Sequence, residues 1–103
     1  MNPTAILIVE DEFILANDLA LRLQDLGYAV VGVAATGADA VALADRQHPN
    51  LVLMDIHLQG PLDGVAAALE IRQRRRLPVV FLAAYADDDT LQHAKLAEPF
   101  GYI

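Results

Sequence analysis

Four short apolar runs punctuate this chain, and segments with helical spacing separate them. The runs are Ala5-Ile6-Leu7-Ile8-Val9, Tyr28 to Val33, Leu51-Val52-Leu53-Met54 and Val79-Val80-Phe81-Leu82. None alternates apolar with polar positions, as expected of strands covered on both faces. A fifth run starts at Phe100 and reaches Ile103. Strands separated by helices predict a parallel sheet with right-handed crossovers.

The intervening segments carry helix signals. Leu15, Leu19, Leu23 and Leu26 predict helix one over about residues 13–26, with Gly27 as its C-terminal stop. Thr36 with Asp39 resembles a capping box and opens helix two, which ends near His48-Pro49. His48 is expected to cap that end. Helix three is predicted over 63–75, after the loop Gln59-Gly60-Pro61. A weaker helix four starts at Asp87-Asp88-Asp89. Arg72, Arg74, Arg75 and Arg76 fall where helix three ends, and the expected role is a cationic last turn facing the helix dipole.

A length of 103 residues fits one domain, and 55% hydrophobic residues exclude a disordered tail. The net charge of −7 disfavours a phosphate-backbone partner, so no nucleic acid is expected on this domain. No apolar run approaches the roughly 20 residues of a membrane helix. No basic-then-apolar leader is seen, and the expectation is a soluble cytoplasmic domain without a membrane partner. The absence of cysteine removes thiolate chemistry. His48 and His93 lack companions at zinc-ligand spacing, and Gly60 and Gly64 do not make a phosphate loop.

The candidate chemistry lies where the strands stop. Glu10-Asp11 follows the first run and Asp55 follows the third. Ligands of such sheets bind beyond the carboxyl ends of the strands. If the two strands are neighbours, three carboxyl groups meet at one rim. Crowded like charges call for a cation, a proton or a chemical task. Mg²⁺ wants oxygen ligands, and a carboxylate can attack phosphorus to give an aspartyl phosphate. The plainer alternative makes these residues caps, with Asp11 or Glu12 closing the start of helix one.

The segments ILIVEDE, NLVLMDIHLQG, Asp63-Gly64, LPVVFLAAYAD and EPFGYI together resemble the receiver domain of two-component response regulators, across essentially the whole chain. The resemblance implies a flavodoxin-like, doubly wound, three-layer α/β fold with strand order 2-1-3-4-5. It implies that Asp55 accepts a phosphoryl group from a histidine kinase or phosphotransfer protein. Mg²⁺ would be held by Glu10, Asp11, Asp55 and the backbone carbonyl of His57. Tyr102 would be the aromatic switch residue on strand five, and an output domain elsewhere in a full-length protein would be a further partner.

Two positions depart from the pattern of that family. Ala83 stands where a Thr or Ser usually bonds a phosphoryl oxygen. The usual Lys after strand five lies past Ile103, and Lys95 is not a substitute. The expectation is therefore a C-terminally incomplete receiver over 1–103, lacking the last helix. Metal binding should survive better than switching. Uncovered apolar sheet surface predicts self-association as a homodimer or by exchange of elements. A receiver-like module that binds partners without phosphorylation is the alternative function. His57 and Tyr85 are further candidates for controlling water at Asp55.

Overall fold

A computed structural model describes residues 3–56, 58, 62–82 and 101–102. The expectations for His57, Ala83, Tyr85, His93, Lys95 and the fourth helix fall outside the described residues.

The described elements are β1 (Ala5–Val9), α1 (Phe13–Asp25), β2 (Ala29–Ala34), α2 (Gly37–Gln47), β3 (Leu51–Asp55), α3 (Gly64–Arg75), β4 (Val79–Leu82) and β5 (Gly101–Tyr102). The strands form one sheet in the order β2-β1-β3-β4-β5, and all pairs are parallel. The flavodoxin-like order expected from the sequence is therefore the observed one.

Side-chain alternation sorts the strands onto two faces. Leu7, Val9, Val52, Met54, Val79 and Phe81 face α2 and α3, where they meet Ala40, Val41, Ala44, Val65, Ala68 and Ile71. Ile6, Ile8 and Leu53 face α1 and pack with Ala16, Leu19, Ala20 and Leu23. The result is three layers. The two faces are unequally covered: Val79 and Phe81 are fully buried, while Leu51, Val80 and Leu82 on the α1 face are half-buried.

Helix α1 departs from its expected apolar stripe. Leu19 and Leu23 pack on the sheet, but Leu15 and Leu26 are exposed. The helix ends at Asp25, and Gly27 takes φ +96° in the turn that follows. That left-handed conformation is open to glycine at no steric cost. Edge strand β2 carries a bulge: Ile6 pairs with Val30 but Leu7 with Gly32, leaving Val31 as the extra residue.

The α2 and α3 ends behave as the sequence suggests and add a contact. Thr36 accepts from the Asp39 N–H at 3.1 Å, and Asp63 accepts from the Ala66 N–H at 2.8 Å. His48 caps α2 in the left-handed region. The arginines at the end of α3 do more than face its dipole. Arg74 and Arg75 bind the Asp45 carboxylate of α2 at 2.9 and 3.1 Å. Arg75 also donates to the Asp45 carbonyl and to His48 Nδ1, both at 2.9 Å. A guanidinium only donates, so the imidazole accepts at that atom. These bonds tie α2 to α3 at the edge remote from the acidic rim.

Candidate functional site

Register brings the acidic residues together. Strands β1 and β3 are neighbours, paired Ile8 with Leu53 and Val9 with Met54. One step further along both strands stand Glu10 and Asp55. Glu10 is anchored from the other side, because its N–H donates to the Ala34 carbonyl of β2 at 2.9 Å. Asp55 is the last residue of β3. Asp11 follows in the turn to α1, and its N–H donates to Glu10 Oε2 at 3.0 Å.

Carboxylate oxygens of Glu10, Asp11 and Asp55 all lie within 4.8 Å of one another. Glu10 is buried, with 8% of its surface exposed, and the two aspartates are half-buried. Burial pushes the Glu10 carboxyl up to about 8, helped by its hydrogen bond to Asp55 and the nearby Asp55 and Asp11 charges; the Asp11 N–H partly offsets this. Desolvation penalises the ionised form, and a neighbouring negative charge adds to that penalty. The Glu10 carboxyl is therefore held toward its neutral form beside Asp55.

The donor set fits a hard divalent cation. All three side chains offer oxygen, two are solvent-accessible, and a bound cation would replace the proton as the neutralising charge. Glu12 occupies the N-cap position of α1 but makes no side-chain capping bond. Capping thus does not account for the acidic run at this helix start. Capping does account for Asp63, whose carboxylate is engaged with α3.

Two features of the rim were not legible in the sequence pattern. Phe13 and Ile14, in the first turn of α1, are 82% and 81% exposed beside the acidic cluster. Their place directly after an acidic run was the available signal. Gly64 packs so tightly that a Cβ there would strike the Asp55 carbonyl. Tyr102 lies on β5, its backbone paired with Phe81 of β4.

This geometry accords with the comparisons with known proteins. Residues 6–103 match the response regulator receiver domain family. The transcriptional regulatory protein PdtaR of Mycobacterium tuberculosis is 40% identical over 101 residues, covering 98% of this chain and 49% of that protein. The phyllosphere-induced regulator PhyR of Methylorubrum extorquens is 39% identical over 85 residues, covering 82% of this chain and 32% of PhyR. Among solved structures, the receiver domain of a modulated diguanylate cyclase from Desulfovibrio desulfuricans superposes with a TM-score of 0.94 at 40% identity, covering 99% of this chain and 81% of that one.

The chain belongs to the response regulator receiver domain family. It spans about half the length of PdtaR and about a third of PhyR. Receiver domains in general bind Mg²⁺, and the acidic cluster is where this one could hold a metal. No helix among the described residues is long and apolar enough to cross a membrane.

Proposed function

We propose that this domain receives a phosphoryl group on Asp55 from a histidine kinase or phosphotransfer protein, with Mg²⁺ held by Glu10, Asp11 and Asp55. The observation that carries this reading is the carboxylate cluster at the β1–β3 rim, with its buried Glu10. A carboxylate oxygen of Asp55 attacks phosphorus, the phosphorus–nitrogen bond of the donor phosphohistidine breaks, and the imidazole leaves. Bound Mg²⁺ supplies positive charge to the phosphoryl oxygens. Asp11 lies on the half-exposed side of the cluster, suited to direct ligation. Glu10 would release its proton as the cation enters. The His57 carbonyl is proposed as a further ligand from its place two residues after Asp55.

The phosphoryl group would bias the loops after β3 and β4 together with Tyr102, and so alter contacts with an output partner. The domain accepts one group and turns over no separate substrate. Ala83 favours a second reading, a module that binds or dimerises without phosphorylation, because alanine offers the phosphoryl group no donor.

The test is incubation with Mg²⁺ and acetyl phosphate, read by intact mass spectrometry, with Asp55→Asn as control. A phosphoryl adduct absent from the variant supports the receiver reading. Mg²⁺ binding without an adduct supports the second.

A further inference from the structure

The helices α2 and α3 each begin with a buried glycine. Neither glycine has a positive φ, so conformational freedom does not explain them. Space does. A Cβ on Gly64 would strike the Asp55 carbonyl oxygen and lie 3.0 Å from both the Cα and the carbonyl oxygen of Ile56. A Cβ on Gly37 would strike the Leu62 carbonyl oxygen and lie 3.0 Å from Leu62 Cβ and Cγ. The obstacles include backbone atoms, which cannot rotate aside as a flexible side-chain tip can.

The two contacts are linked in series. Leu62 packs on the α2–α3 side of the core. Asp63 follows it and caps α3, and Gly64 then rests on the peptide of Asp55 and Ile56. The start of α2 thus sets the position of Leu62, and the start of α3 transmits it to the backbone of Asp55. By contrast, a Cβ on Gly32 would meet only side-chain atoms at 3.5 Å or more. Among the glycines compared, the tight approach is therefore confined to the starts of α2 and α3.

We infer that Gly37 and Gly64 are positioning residues that together fix the Asp55–Ile56 peptide, Gly64 by direct backbone contact and Gly37 through Leu62. The functional consequence rests on the receiver reading, because it concerns where the Asp55 carboxylate and the backbone ahead of His57 sit around the metal. The sign of the effect separates this role from helix propensity. Alanine is the better helix former, so propensity alone predicts that Gly37→Ala and Gly64→Ala stabilise. Displacement of the backbone predicts loss of metal affinity in both.

The test compares wild type, Gly37→Ala and Gly64→Ala, with Gly32→Ala as control, by Mg²⁺ titration calorimetry and by the amide spectrum of ¹⁵N-labelled protein. Gly64→Ala should weaken Mg²⁺ binding by about tenfold to a hundredfold, the range for losing support of a metal ligand. Gly37→Ala should weaken it less, and should shift the Ile56 amide resonance although residue 37 lies in another helix. Gly32→Ala should change neither. If Gly64→Ala fails to fold, Gly37→Ala still decides the matter. Unchanged Mg²⁺ affinity and an unmoved Ile56 resonance in folded Gly37→Ala overturn the inference. If wild type binds no Mg²⁺, the receiver reading fails, and the Ile56 shift alone supports or overturns the mechanical link.

Discussion

Glu10 and Asp55, on neighbouring strands, are joined by a side-chain hydrogen bond across the rim of the sheet. The pair makes folding and acidity interdependent. The Glu10 carboxyl ionises near 8 in the folded chain, against an ordinary value of 4.5. Between those values the folded chain holds a proton that the unfolded chain has released. The stabilisation from that proton is whole below 4.5, declines as the pH climbs, and is lost beyond about 8. Glu10→Gln removes this dependence. Its melting temperature without divalent metal should increasingly exceed that of wild type as the pH is raised from about 5 to about 9, as read by scanning calorimetry. Added Mg²⁺ should narrow the gap at high pH by stabilising wild type.

Burial is the largest single cause of the displaced ionisation of Glu10, and Asp55 adds to it through a hydrogen bond and its charge. Asp55→Asn should therefore lower the Glu10 ionisation only part of the way to its ordinary value. Carboxyl ¹³C titration would show this. A full return would mean that repulsion by Asp55, not the buried setting, sets the proton affinity.

Phe13 should matter to a protein phosphodonor and not to a small one. Its ring is exposed in the first turn of α1, next to the acidic residues. An aromatic anchor buried by a partner typically dominates such contacts. Phe13→Ser should slow transfer from a cognate phosphotransfer protein by about tenfold or more, while the acetyl phosphate rate stays the same. Equal slowing with both donors would place the defect in the site itself.

Phe81 is fully buried in the larger core and Val33 is 47% exposed on the edge strand. Phe81→Ala should cost about 3–5 kcal/mol, and Val33→Ala about 0.5 kcal/mol or less. Urea denaturation would measure both.

Gly32 lies in strand β2 with ordinary van der Waals room above it, toward Leu7 and Leu43. A glycine inside a strand costs roughly 0.5–1 kcal/mol relative to alanine. Gly32→Ala should therefore raise stability by up to about that amount, seen as a higher urea midpoint.

Much of this molecule can be read along the chain because local chemistry and tertiary structure agree. The unalternating runs became strands, largely buried in β1 and β3 and mostly half-buried in edge strand β2, and Thr36, Asp63 and Gly27 stand at the helix ends they mark. The meeting of Glu10, Asp11 and Asp55 was legible because β1 and β3 stop at the same edge. Other features depend on what lies across space. Leu15 and Leu26 share the spacing of Leu19 and Leu23 yet are exposed, Leu26 because α1 ends at Asp25, before it can carry that side chain onto the sheet. The pairing of Arg74 and Arg75 with Asp45 joins residues about thirty positions apart, which no local pattern encodes. The bulge at Val31 hides in an apolar run because both faces of that strand tolerate apolar residues.

That bulge has a consequence for how copies of the chain can meet. β2 is one outer margin of the sheet, and its unpaired backbone could template another strand. The extra residue twists this margin and breaks the regular spacing of its hydrogen-bonding groups. A second sheet could match only one half of it at a time. Continuous strand-by-strand growth into fibres is disfavoured along this side, even though the strand Ala-Val-Val-Gly-Val-Ala has the composition of an aggregating segment.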